Sequence, residues 1–63
     1  MNKKGFLEEL GTYLAVLEER EQQDILEEYA QHIDMKIEKG LSEEEAIRDC
    51  GGIRELAAGI LEA

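Results

Sequence analysis

The chain has no proline, no tryptophan, one cysteine and one histidine among its 63 residues, and aromatic residues make up only 5% of it. Each shortage excludes something. Without proline, nothing in the composition kinks or breaks a helix by removing a backbone donor. A lone cysteine, Cys50, forms no intrachain disulfide, and together with the single His32 it falls short of a structural zinc set. No apolar run approaches the ~20 residues of a membrane-spanning helix, and Glu8 and Glu9 interrupt the N-terminal stretch before it could serve as a signal peptide. Direct membrane insertion by this segment is therefore not expected. Positive charge is also scarce: seven Lys and Arg stand against sixteen Asp and Glu, a formal net charge of −9.

That charge is unevenly placed. Residues 1–17 are neutral, residues 18–39 carry −5 and residues 40–63 carry −4. Duplex DNA and anionic lipid would be repelled by most of such a surface. A basic protein surface would not, although acidic residues also serve simply to keep a small protein in solution. A chain this short buries only roughly 60% of the surface its unfolded form exposes, so its stability depends on good helix packing, oligomerisation or attachment to further protein.

What is abundant is Leu, Ile, Ala, Glu and Lys, a composition that favours helix. Apolar residues at Phe6, Leu7, Leu10, Tyr13, Leu14 and Leu17 predict a first helix over residues 3–17, with one stripe turned inward. Gly5 and Gly11 interrupt it; Gly11 either weakens the helix or lets another helix approach, and the spacing alone allows both. The polar run from Glu18 to Asp24 begins as a turn and continues as the acidic first turns of a second helix, which carries Ile25, Leu26, Tyr29, Ile33 and Ile37. Lys36 and Lys39 lie in its last turn, the end that favours cations.

Punctuation is densest after that. Gly40 is placed to end the second helix in the left-handed conformation, with Leu41 folding back on its final turn. Ser42 and Glu45 have the spacing of a capping box that opens a third helix over residues 43–50. There Ala46, Ile47 and Cys50 point inward, and Glu44 and Arg48 stand four apart in the favourable order. Gly51 and Gly52 stop that helix, and a fourth follows over residues 53–62, burying Ile53, Leu56, Ala57, Ile60 and Leu61. The expected fold is all-α: a compact bundle of four short helices, the last two forming a helical corner. Residues 1–63 are expected to make a single helical domain.

The candidate chemistries are weak. A helix-turn-helix has the right helix lengths, and Ala46 suits its first helix, but the recognition helix would offer Arg54 among Glu55, Ala58, Gly59 and Glu62. A structural corner accounts for the same residues, so no nucleic-acid partner is expected. Glu28 and His32 share a helix face as metal ligands would, but two ligands do not make a site. Cys50 reads as a small apolar residue at a helix stop. Gly51-Gly52 lacks the lysine or serine of a phosphate-binding loop. No catalytic, cofactor-binding or metal-binding residue is expected, and no enzyme activity. Met35, with Tyr13 or Tyr29, is the candidate for a partly exposed docking patch.

Taken together, F-L-E-E-L in the first helix, D-I-L-E-E-Y in the second, and G-L-S-E-E-E-A-I followed by G-G-I-R-E-L-A give the chain a near full-length resemblance to the HAAS family. These are the helix-turn-helix-associated α-helical signalling domains of bacterial membrane proteins. Tyr29, Gly40, Ser42, Glu45, Ala46, Ile47, Gly51, Leu56 and Ala57 match its pattern; Cys50 stands where leucine is usual, and Ile53 where proline is common. The resemblance implies a non-catalytic protein–protein signalling domain, without cofactors. It also implies a cytoplasmic N-terminal position in a longer protein tethered to the membrane by downstream segments, and partnership with a PadR-like winged-helix regulator. The competing expectations are a structural or oligomerisation module of a membrane protein and, against the charge, a DNA-binding domain.

Overall fold

The first helix stops sooner than the apolar spacing predicts. In the computed structural model, which describes residues 1–62, α1 runs Lys3–Tyr13 and tightens into a 3₁₀ turn at Leu14–Val16. No glycine closes α1, so the chain ends it by shrinking its last turn: the Leu14 N–H is shared between the carbonyls of Leu10 and Gly11, and the Leu17 N–H bonds the Leu14 carbonyl at 2.9 Å. Leu14 stays fully buried through the change, and Leu17 turns extended. The Gln22 side chain then donates to the Leu17 carbonyl at 2.7 Å, tying the turn to the helix that follows.

Three further helices complete the fold: α2 at Glu19–Glu38, α3 at Glu43–Asp49 and α4 at Ile53–Glu62. The described residues are 82% helical and contain no strand. At its start α1 is capped by Asn2, whose side-chain oxygen accepts the Gly5 N–H at 2.7 Å. The capping preference of asparagine makes that start legible in the sequence, although apolar spacing does not mark it.

The two corners follow the glycines. Gly40 has φ +107° and Gly51 φ +88°, conformations that cost a residue with a Cβ. At the first corner the Gly40 N–H bonds the Ile37 carbonyl at 3.0 Å and the Leu41 N–H bonds the Lys36 carbonyl at 3.1 Å. These are the two bonds of a Schellman motif. One residue later Ser42 accepts the Glu45 N–H at 3.1 Å, while Glu45 accepts the Ser42 N–H at 3.0 Å. One helix is thus closed and the next opened within six residues.

The core is made of seven residues: Phe6, Leu10 and Leu14 along one stripe of the first element, Ile33 of α2, Ala46 and Ile47 of α3, and Ala57 of α4. The central helix is α1, which packs on each of the other three. It runs antiparallel to α2, because Lys3 reaches Asp34 late in α2 while Gly11 faces Leu26 early in it. The inward stripes are narrower than expected. Tyr13, Ile37 and Leu61, all placed inward by spacing, are 42%, 39% and 41% exposed. Ile25, Leu26, Tyr29, Cys50, Ile53, Leu56 and Ile60 are only half-buried against the core. The partners of the 20-residue α2 are only 7–11 residues long, and a chain this small cannot cover a full hydrophobic stripe on each helix, so residues at the stripe edges remain at the surface.

Candidate interaction surface

Residues that could carry catalysis do not converge. Nε2 of His32 lies 3.9 Å from Glu28, both groups well exposed, and its ring packs against Tyr29 with centroids 5.6 Å apart. Burial pushes the Tyr29 hydroxyl above its ordinary pKa, with the Glu28 charge adding to the effect. The Cys50 thiol is also raised, chiefly by burial and against the opposing pull of Lys36. A raised thiol is a poorer nucleophile. Among the described residues no three His, Cys, Asp or Glu side chains gather as metal ligands would, and no helix is long and apolar enough to cross a membrane.

Two lysines of the first two helices, Lys3 and Lys36, pair across helices. The Lys3 ammonium pairs with Asp34 at 2.8 Å, and its backbone N–H donates to Glu43, so one residue links α1 to both α2 and α3. Lys36 pairs with Asp49 across the α2–α3 corner, and that hydrogen bond raises the lysine's pKa. The expected Glu44–Arg48 pair does not form: Glu44 lies 3.9 Å from the Met1 amine. Helix spacing permits that pair without requiring it, and exposed pairs at this spacing gain little.

The excess left without a partner is acidic, on a chain of net charge −9. Glu18 just before α2, and Glu19, Glu21, Asp24 and Glu27 along its first half, are exposed, and none has an ion pair among the described residues. The α3–α4 corner presents no basic face for a duplex; Arg54 is followed on α4 by Glu55 and Glu62, all three exposed. Apolar exposure lies at both ends of the α1–α2 pair. Tyr13 (42%) and Val16 (80%) stand at one end, Met35 (54%) and Ile37 at the other. Met35 and Tyr13 are thus at the surface as the docking-patch expectation requires, but at opposite ends and not in one patch, while Tyr29, the alternative to Tyr13, is half-buried against the core.

Spacing alone gave no sign of a groove of about 460 Å³ between α1 and the α3–α4 corner. Phe6, Tyr13, Ile47 and Ile53 line it together with two arginines, Arg48 and Arg54, and two glutamates, Glu9 and Glu55. The one signal in the sequence was that these arginines are the only cations after Gly40 and flank the glycine pair.

A protein-family model described as HAAS matches residues 5–59. The chain belongs to the HAAS family, whose domains are non-catalytic and of signalling, protein-interaction type. No curated protein and no solved structure matches it.

Proposed function

We propose that this HAAS-family chain works by docking onto another protein, a PadR-like transcription regulator, and passes a signal without chemistry of its own. The single observation that carries the reading is the family match over residues 5–59. The unpaired acids of α2 support it by offering a surface to a basic partner, whose association would weaken as salt rises. In this reading residues 1–63 form one domain, the N-terminal cytoplasmic part of a longer protein held at the membrane by later segments. Co-purification with the proposed PadR-like regulator tests it: the two should elute together at low salt and separate at high salt. Failure to co-elute with the domain alone and with its downstream segment attached would leave a structural module.

DNA binding is the reading the charge disfavours. With net charge −9 and one arginine on α4, the domain has few groups to neutralise phosphates. An anisotropy titration against duplex DNA at physiological salt should show no sequence-selective binding; sub-micromolar selective binding would overturn the proposal in favour of a DNA reader.

A further inference from the structure

The polar ties of the bundle stop at Asp49. Lys3 joins α1 to Asp34 of α2 and to Glu43 of α3, and Lys36 joins α2 to Asp49 beside the α3 terminus. Among the described residues, no side-chain hydrogen bond and no ion pair involves any of residues 50–62. Apolar packing alone therefore holds α4. That packing is one-sided, since α4 lies on α1 and has no comparable contact with α2 or α3. It is also thin. Of the seven core residues α4 supplies one, Ala57; Ile53, Leu56 and Ile60 are half-buried, and Leu61 is largely open to solvent. The other six core residues lie between Phe6 and Ile47, so moving α4 away leaves most of the core and every polar tie in place. The joint to α3 is Gly51-Gly52, with Gly51 at positive φ and open space where a Cβ on Gly52 would lie. Two consecutive glycines give the backbone there the widest range of directions.

We propose that α4 is a latch that opens as one unit at Gly51-Gly52 while α1, α2 and α3 stay folded. Closed, it hides the face of α1 on which it packs, together with its own stripe of Ile53, Leu56, Ala57 and Ile60. Open, it bares both on an otherwise native molecule, so a single hinge offers or withdraws apolar surface. Openings of this kind draw on the parts of a fold with few buried contacts and cost less than global unfolding. The division falls after α3 and not before it. Although only seven residues long, α3 buries Ala46 and Ile47 and is tied to both α1 and α2. The latch goes beyond the docking reading and needs no partner, so failure of either leaves the other standing.

Native-state hydrogen exchange of the 63-residue chain, read amide by amide by NMR across low urea concentrations, is the test. The amides of residues 56–61 should share one protection factor, about tenfold or more below those of Leu10 and Ile33. Their urea dependence should be weaker than that of global unfolding, because opening the latch exposes less surface. Ser42→Ala, which loosens the start of α3, should lower protection at Leu10 and Ile33 by about two- to thirtyfold. It should leave residues 56–61 unchanged, because the cap is intact whether the latch is open or closed. Equal protection in α4 and the core would overturn the proposal, since α4 would then open only with the whole molecule. Protection of α4 that falls with Ser42→Ala would overturn it too, by moving the hinge ahead of α3. A steady decline from residue 56 to residue 61 would be fraying of a helix end, and no latch would remain.

Discussion

Gly11 shows what a single position can and cannot disclose. Its place in the sequence allowed a weakened helix or a close helix approach, and the structure decides for the first. A Cβ there would lie 3.7 Å from Leu26 Cδ1, an ordinary contact. Gly11→Ala should therefore raise stability by about 0.5–1 kcal/mol, through helix propensity and a less flexible unfolded chain; a lowered denaturation midpoint would show that the helices need the gap. Glu45 offers a second test, in pH. Its hydrogen bonds with the Ser42 backbone and side chain hold its carboxyl below the ordinary range. A group whose pKa is lower in the folded state stabilises above its unfolded value, about 4.3 for Glu, and that stabilisation disappears as pH falls through the folded value. Wild type should exceed Glu45→Gln in stability at pH 7, and the gap should close below about pH 4. A gap unchanged down to pH 3 would place the stabilisation elsewhere. Tyr13, Ile37 and Leu61 mark the limit of residue-level reading. Periodicity gives the direction a side chain takes from its helix, but burial requires a neighbour wide enough to cover it.

At the scale of elements, glycines and caps were the most legible part of the chain. The α2–α3 corner and the span of α4 follow the sequence reading residue for residue, because each feature is local: a positive φ, a hydroxyl three residues from a glutamate. The end of α1 was not legible. Apolar spacing continues through Leu17, and what ends the helix at Tyr13 is the tightening of the chain as it reverses into α2. The same substitution should therefore have opposite signs at two glycines. Gly40→Ala, at φ +107°, should destabilise by about 1 kcal/mol or more, where Gly11→Ala stabilises. Ser42→Ala should cost about 0.5–2 kcal/mol through the lost cap. Urea titrations of the three variants check this together, and unchanged midpoints at Gly40 and Ser42 would contradict the corner described above.

For the molecule as a whole, two quantities matter: a thin core and a large unbalanced charge. The accessible surface is 4559 Å², against roughly 4100 Å² expected for a folded chain of this mass, and the long axis extends 34 Å against 20 Å for the others. Much apolar surface is left at the margins, and much acid is left without a counter-charge. Composition made the acidity evident, and chain order placed −5 of the net −9 on residues 18–39. The groove beside α1 was not evident, because it exists only once α1 lies against the α3–α4 corner and brings Tyr13 beside residues some forty positions away. Calorimetric titration of the domain into the proposed PadR-like regulator, at low and at high salt, decides whether the domain docks onto it. Saturable heat is expected at low salt, with an affinity in the micromolar range that weakens at high salt. No heat at tens of micromolar at either salt, with the domain alone and with its downstream segment attached, would contradict it.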